Sequence, residues 1–191
     1  MNPRRTSPPP DKAKPTHVGL AGLDSGPIER VLRLESPGES LGDLPLPFAD
    51  VDLEFELRRA AGAGVRVRGT LAARATVECR RCLEPTRVAV RAQWAALYRP
   101  SARVTPGEDG VWPLEAASGE VDLAGPVREE LWVNAPAWVE CSGDCPGLCP
   151  RCGVRLADRS CECPPPGPDE RWAALEGFGG DSGESTDRDI P

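Results

Sequence analysis

The sequence predicts an α+β fold, a twisted, mostly antiparallel, partly closed sheet of about five strands with two short helices. Three observations carry that expectation. Apolar and polar residues alternate with a period of two in several stretches, as a half-buried strand requires. Leu123, Val127 and Leu131 recur at helical spacing. Eight cysteines fall in four pairs, and six of the eight lie between Cys141 and Cys163, a stretch with too few large apolar residues to fold by burial alone.

Taken in chain order, residues 1–27 are dense in proline, glycine and polar side chains and predict a disordered N-terminal tail that includes His17, the only histidine. The body is expected over 28–140. Its first strands are Ile28 to Glu35 and Val51 to Arg59, the latter placing Val51, Leu53, Phe55 and Leu57 on one face. A longer strand from Val65 to Glu78 sets Val65, Val67, Leu71, Ala73, Ala75 and Val77 against Arg66, Arg68 and Arg74, with a bend at Gly69. Alternation resumes from Thr86 to Tyr98, so these two strands form a hairpin with Cys79 and Cys82 at its tip. Residues 99–118 read as loop. Asp122 caps a helix that ends at Asn134 and Pro136. The cysteine-rich segment over 141–177 closes with a short helix from Asp169 to Glu176, whose Trp172 and Leu175 pack on the body. Residues 178–191 read as a disordered acidic tail.

The cysteine pairs are Cys79 and Cys82, Cys141 and Cys145, Cys149 and Cys152, and Cys161 and Cys163. A two-residue gap lets one tight turn present both thiolates to a single ion, so eight thiols suffice for two tetrahedral zinc sites. In Cys149-Pro150-Arg151-Cys152-Gly153, proline presets the turn and glycine tolerates positive φ after the second sulfur. The preferred partition places Cys149, Cys152, Cys161 and Cys163 around one ion and Cys79, Cys82, Cys141 and Cys145 around the other. The spacing also permits the other pairings of pairs, and a site using Cys145, Cys149, Cys152 and one of the last two. Thiol–disulfide chemistry is the weaker reading, because a redox C-x-x-C opens a helix in a βαβ unit and these flanks are strands.

Other function classes fare poorly. No run of about 18 apolar residues is present to span a membrane, and no apolar stretch follows Arg4 and Arg5 to make a secretory signal. Clustered thiols without a disulfide framework fit the cytoplasm. The single histidine removes triads and imidazole acid–base chemistry, adjacent Glu129 and Glu130 point apart on a helix, and an all-cysteine site leaves no open metal position, so an enzyme is not expected. The net charge of −7 conceals a segregation: residues 58–103 hold eleven arginines against Glu78 and Glu84. Within that basic island, Arg66, Arg68, Arg74, Arg80, Arg81, Arg87 and Arg91 are the candidates for phosphate contact. Base stacking on Trp94 or Tyr98 competes with core packing, which their parity with Val88 and Val90 favours.

The order of motifs resembles that of the YceD family. VECRRCLEP, VDLAGPVREELWVNAP, CSGDCPGLCPRCGVRLADRSCEC and DERWAAL follow one another as in that family, over roughly residues 28–177. The resemblance implies a bacterial cytoplasmic protein whose loss impairs synthesis, processing or stability of 23S ribosomal RNA. Its partners would be ribosomal RNA, a large-subunit assembly intermediate or a ribosomal protein. The rival expectation is a zinc-stabilised protein–protein adaptor without direct RNA contact.

Overall fold

The computed structural model describes residues 15–105, 108–115, 118–164 and 171. It divides into two compact units, Met1–Gly147 and Leu148–Pro191. Among the described residues, the first unit is α+β. A five-stranded sheet is built from β2 (Ile28–Glu35), β3 (Phe48–Ala60), β4 (Gly64–Glu78), β5 (Pro85–Pro100) and β6 (Val111–Leu114) in that spatial order. All neighbours are antiparallel except β5 and β6, which run parallel. A separate two-stranded ribbon pairs β1 (His17–Gly19) with β7 (Glu120–Asp122). The helices are α1 (Pro37–Leu41) and α2 (Ala124–Asn134).

Strand parity determines the core. β3 contributes Val51, Leu53, Phe55 and Leu57, β4 contributes Val65, Val67, Leu71, Ala73 and Ala75, and β5 contributes Val90, Trp94, Ala96 and Tyr98, all buried on one face. Val127 and Leu131 of α2 close over that cluster, with the helix lying mainly on β5. Leu123, just before the helix, is buried too, and the Asp122 carboxylate accepts the amide of Ala124 at 3.0 Å. At the C-terminal end, Ala135 N–H donates to the Leu131 carbonyl at 3.0 Å before Pro136 stops the helix. The other face of the sheet is left to solvent, as antiparallel sheets permit. At Gly69 the strands approach so closely that a Cβ would collide with the Glu54 carbonyl oxygen and with Phe55, which is why this position in the middle of β4 carries no side chain.

Several expectations need correction. The sheet is open rather than partly closed, with β2 and β6 at its edges. Order begins well before residue 28: β1 pairs with β7, and His17 sits 3.3 Å from Glu120 Oε2 and 3.5 Å from Asp122 Oδ2 instead of in a disordered tail. The stretch 99–118 is not all loop, because Val111–Leu114 forms the parallel edge strand. Helix α1 was not foreseen, its five residues being too few to show a period. The first compact unit extends through Gly147, past the expected boundary after residue 140, and so includes Cys141 and Cys145. The helix expected over 169–176 and the tail from 178 lie outside the described residues.

Candidate metal centres and the arginine surface

The hairpin of β4 and β5 ends in a turn that orients sulfur. Cys79 N–H donates to the Glu84 carbonyl at 2.9 Å and Leu83 N–H to the Cys79 carbonyl at 2.9 Å, with Leu83 in the left-handed region at φ 62°. This turn aims the Arg81 amide at Cys79 Sγ, 3.4 Å away. The chain returns after α2 to complete the site. Arg80 N–H donates to the Val139 carbonyl at 2.9 Å and Cys141 N–H reaches Cys79 Sγ at 3.4 Å. The sulfurs of Cys79, Cys82, Cys141 and Cys145 then lie within 4.8 Å of one another, with Cys79–Cys145 at 3.9 Å and Cys82–Cys141 at 3.6 Å. Four thiolates held about 2.3 Å from a central ion form a tetrahedron with edges of about 3.8 Å, which these separations match. Cys79, Cys82 and Cys145 are buried and Cys141 is exposed.

The second unit repeats the turn. Cys149 N–H donates to the Val154 carbonyl at 2.8 Å, Gly153 N–H donates to the Cys149 carbonyl at 2.9 Å, and Gly153 has φ 70°. Cys149, Cys152, Cys161 and Cys163 bring their sulfurs within 4.8 Å of one another. The two groups are those of the partition that spacing favours, and each could hold a metal ion with four sulfur ligands.

Charge within each group is uneven. Burial pushes the Cys79 thiol up, but the amides of Arg81, Cys82 and Cys141 outweigh it and bring it down to about 6. The amides of Cys152 and Arg151 do the same for Cys149, also to about 6. Cys141, crowded by the Cys145 and Cys82 thiols, is pushed up to about 12, and Cys163, beside Cys152, likewise to about 12. The amide-cradled first cysteine of each turn is therefore the one that ionises most readily in its group.

The structure sorts the candidate arginines. All seven are exposed: Arg66, Arg68 and Arg74 on the outward face of β4, Arg87 and Arg91 on that of β5, and Arg80 and Arg81 on the turn. Register puts β3's outward Asp50, Asp52, Glu54 and Glu56 beside the β4 residues. Arg74 makes a two-pronged bond to Asp50 at 2.7 and 3.1 Å, and Arg33 joins the same carboxylate at 3.0 Å. Arg58 pairs with Glu56 at 2.7 Å, close enough to Arg68 for attraction. Arg80 binds Glu140 at 2.7 Å and lies 5.5 Å from the ring centroid of Trp138. Arg66, Arg81, Arg87 and Arg91 form no ion pair among the described residues. Within the basic island, Arg58 and Arg74 are thus paired to an acidic ladder on β3 and Arg80 to Glu140, and the ladder is a feature that only the β3–β4 register exposes. Trp94 and Tyr98 are 3% and 1% exposed and belong to the core, so neither can stack a base. Trp138, passed over at the sequence level, is 71% exposed beside the first cysteine group; its only sequence signal is an aromatic residue three positions before Cys141.

No helix among the described residues is long and apolar enough to cross a membrane. The family model described as "Large ribosomal RNA subunit accumulation protein YceD" matches residues 67–179, a span that contains both cysteine groups. Uncharacterized proteins of Mycobacterium bovis and Mycobacterium tuberculosis are each 37% identical to the chain over 176 residues, covering 85% of it and 81% of the relative. An uncharacterized protein of Mycobacterium leprae is 29% identical over 134 residues, covering 66% of this chain and 61% of the relative. No solved structure matches the chain. On the extent of the family match and of the mycobacterial relatives, the chain belongs to the YceD family.

Proposed function

We propose that this chain is a non-enzymatic zinc-binding factor of the bacterial cytoplasm that supports synthesis, processing or stability of 23S ribosomal RNA in large-subunit assembly. The observation that carries the reading is membership of a family described by accumulation of the large ribosomal RNA subunit. Zinc is the metal that four converging cysteine sulfurs favour, since soft thiolate donors in a tetrahedron suit it and exclude hard cations. A site saturated by four protein ligands has no position for substrate, so the ions act as staples. Arg66, Arg81, Arg87 and Arg91, which form no ion pair among the described residues, would take phosphates of ribosomal RNA or of an assembly intermediate. The acidic ladder on β3 favours a second reading, an adaptor for a basic protein partner such as a ribosomal protein.

Metal analysis and a salt titration test the proposal together. Protein purified under reducing conditions should carry close to two zinc ions, one per cysteine group, and a value near zero overturns the metal assignment. Binding to 23S ribosomal RNA fragments should weaken steeply with salt. About four phosphate contacts give a log–log slope between roughly −3 and −4. Absence of binding at low salt overturns RNA contact and leaves the adaptor reading.

A further inference from the structure

The aromatic residues in register with the core are unavailable to a nucleic acid, yet the segment that returns after α2 to the first cysteine group presents another. Trp138 is 71% exposed, and its indole N–H has no partner among the described residues. The loop behind it is fixed: Arg80 N–H bonds the Val139 carbonyl at 2.9 Å, Cys141 N–H bonds Cys79 Sγ at 3.4 Å, and the Arg80 side chain bonds Glu140 Oε1 at 2.7 Å. Holding Arg80 does not require the indole, because Glu140 already does so. A large apolar ring presented to solvent from an ordered loop, with a guanidinium 5.5 Å from its centroid, is instead a surface prepared for a flat ligand.

We propose that Trp138, flanked by Arg80, is a stacking platform for unpaired RNA bases, with Arg81, Arg87 and Arg91 holding the adjoining phosphates. This rests on the RNA reading above and locates its base contact. Unpaired bases can be splayed onto aromatic and guanidinium planes, whereas those inside an A-form duplex cannot, so the platform selects single-stranded loops, bulges or ends. Phosphate contact is available nearby. Arg81 is on the same turn as Arg80, and Arg87 follows Pro85 at the start of β5. Arg91 shares the outward parity of Arg87 four residues on, about 13 Å along the strand. None of these three guanidinium groups is tied to a carboxylate among the described residues.

The test uses the full, zinc-loaded chain with a fluorescently labelled single strand of mixed-sequence RNA, alone and annealed to its complement. Wild type should favour the single strand. Trp138→Ala should weaken single-strand binding about 5- to 150-fold, leaving duplex binding and the salt slope unchanged, while Trp138→Phe restores most of the loss. Wild-type single-strand affinity in Trp138→Ala, or an equal loss on both RNAs, overturns the platform and leaves the wider RNA reading standing. Failure of wild type to bind either RNA overturns both. Should Trp138→Ala lose zinc, photocrosslinking of wild type to bromouridine-substituted single strands decides: adducts on the peptide containing Trp138 support the platform, and adducts confined elsewhere overturn it.

Discussion

Leu83 and Gly153 hold the same position in two turns of the same hydrogen-bond pattern, each one residue past the second cysteine of its pair and each at positive φ, 62° and 70°. Glycine adopts that conformation without steric cost, while a leucine side chain there works against Cβ crowding. Leu83 is held nonetheless, because the hairpin strands on both sides fix the chain. Gly153 has no such strands. Gly153→Val should therefore cost about 1–2 kcal/mol of local stability, read as faster metal loss to a chelator from the second group alone. Leu83→Gly should change stability by less than about 1 kcal/mol, relief of strain offsetting the greater freedom of the unfolded chain.

Ligand removal should act within each unit. Cys149→Ser should lower the bound metal from two ions to one and expose the second unit to protease, because a metal-organised segment loses its folding energy with its ion. The sheet should unfold as in wild type. Cys82→Ser should also remove one ion, but with destabilisation of the β4–β5 hairpin visible in amide exchange near residues 79–85. One transition abolished by both variants would mean that the two units fold together.

The Cys79 thiolate should show in a pH titration of reduced, metal-free protein. Cys79, whose turn is kept by the hairpin strands when the ion is absent, is held down to about 6, so thiolate absorbance in the ultraviolet should have a component rising near pH 6, well below the ordinary thiol at about 8.5. The sign for stability follows. A lowered acid pKa contributes stability that is complete above the ordinary thiol value and is lost as pH falls through about 6. Cys79→Ser should remove the low-pH component. A single titration above pH 8 in wild type would contradict the amide cradle of Cys79.

Tyr98 tests the join between the sheet and the end of β7, just before α2. Its hydroxyl donates to the Asp122 carbonyl at 2.7 Å, and burial drives its ionisation far above the ordinary range, so it remains a donor throughout neutral pH. Tyr98→Phe should cost about 1–2 kcal/mol by stranding that carbonyl, seen as a lower urea midpoint with an unchanged slope and unchanged metal content.

Much of the architecture was legible because it rests on local period. Val65, Val67, Leu71 and Ala73 alternate with arginines over enough residues to give the strand and its buried face, and the placement of Cys79 and Cys82 at a hairpin tip follows from the strands on each side. Features that depend on distant partners were not legible. His17–Gly19 is a strand only because Glu120–Asp122 pairs with it, and Val111–Leu114, interrupted by Pro113, joins the sheet only at a parallel edge. At the site, thiol spacing favoured the two sulfur groups without excluding the other combinations. The arginines were misjudged in isolation, because their acidic neighbours sit on β3 in an antiparallel register that no count along the chain reveals.

The pairing of Arg74 with Asp50 has a consequence for how the molecule meets other charged bodies. Acids gather on the β2–β3 side of the open face while Arg87 and Arg91, with no ion pair among the described residues, stand on β5, so the face behaves as a lateral dipole and not as a uniform cationic plate. A negatively charged body drifting toward it feels torque as well as attraction and turns until it lies over β5 with β3 held away. The ladder thus acts as a rudder, reducing the orientations of approach before any contact is made.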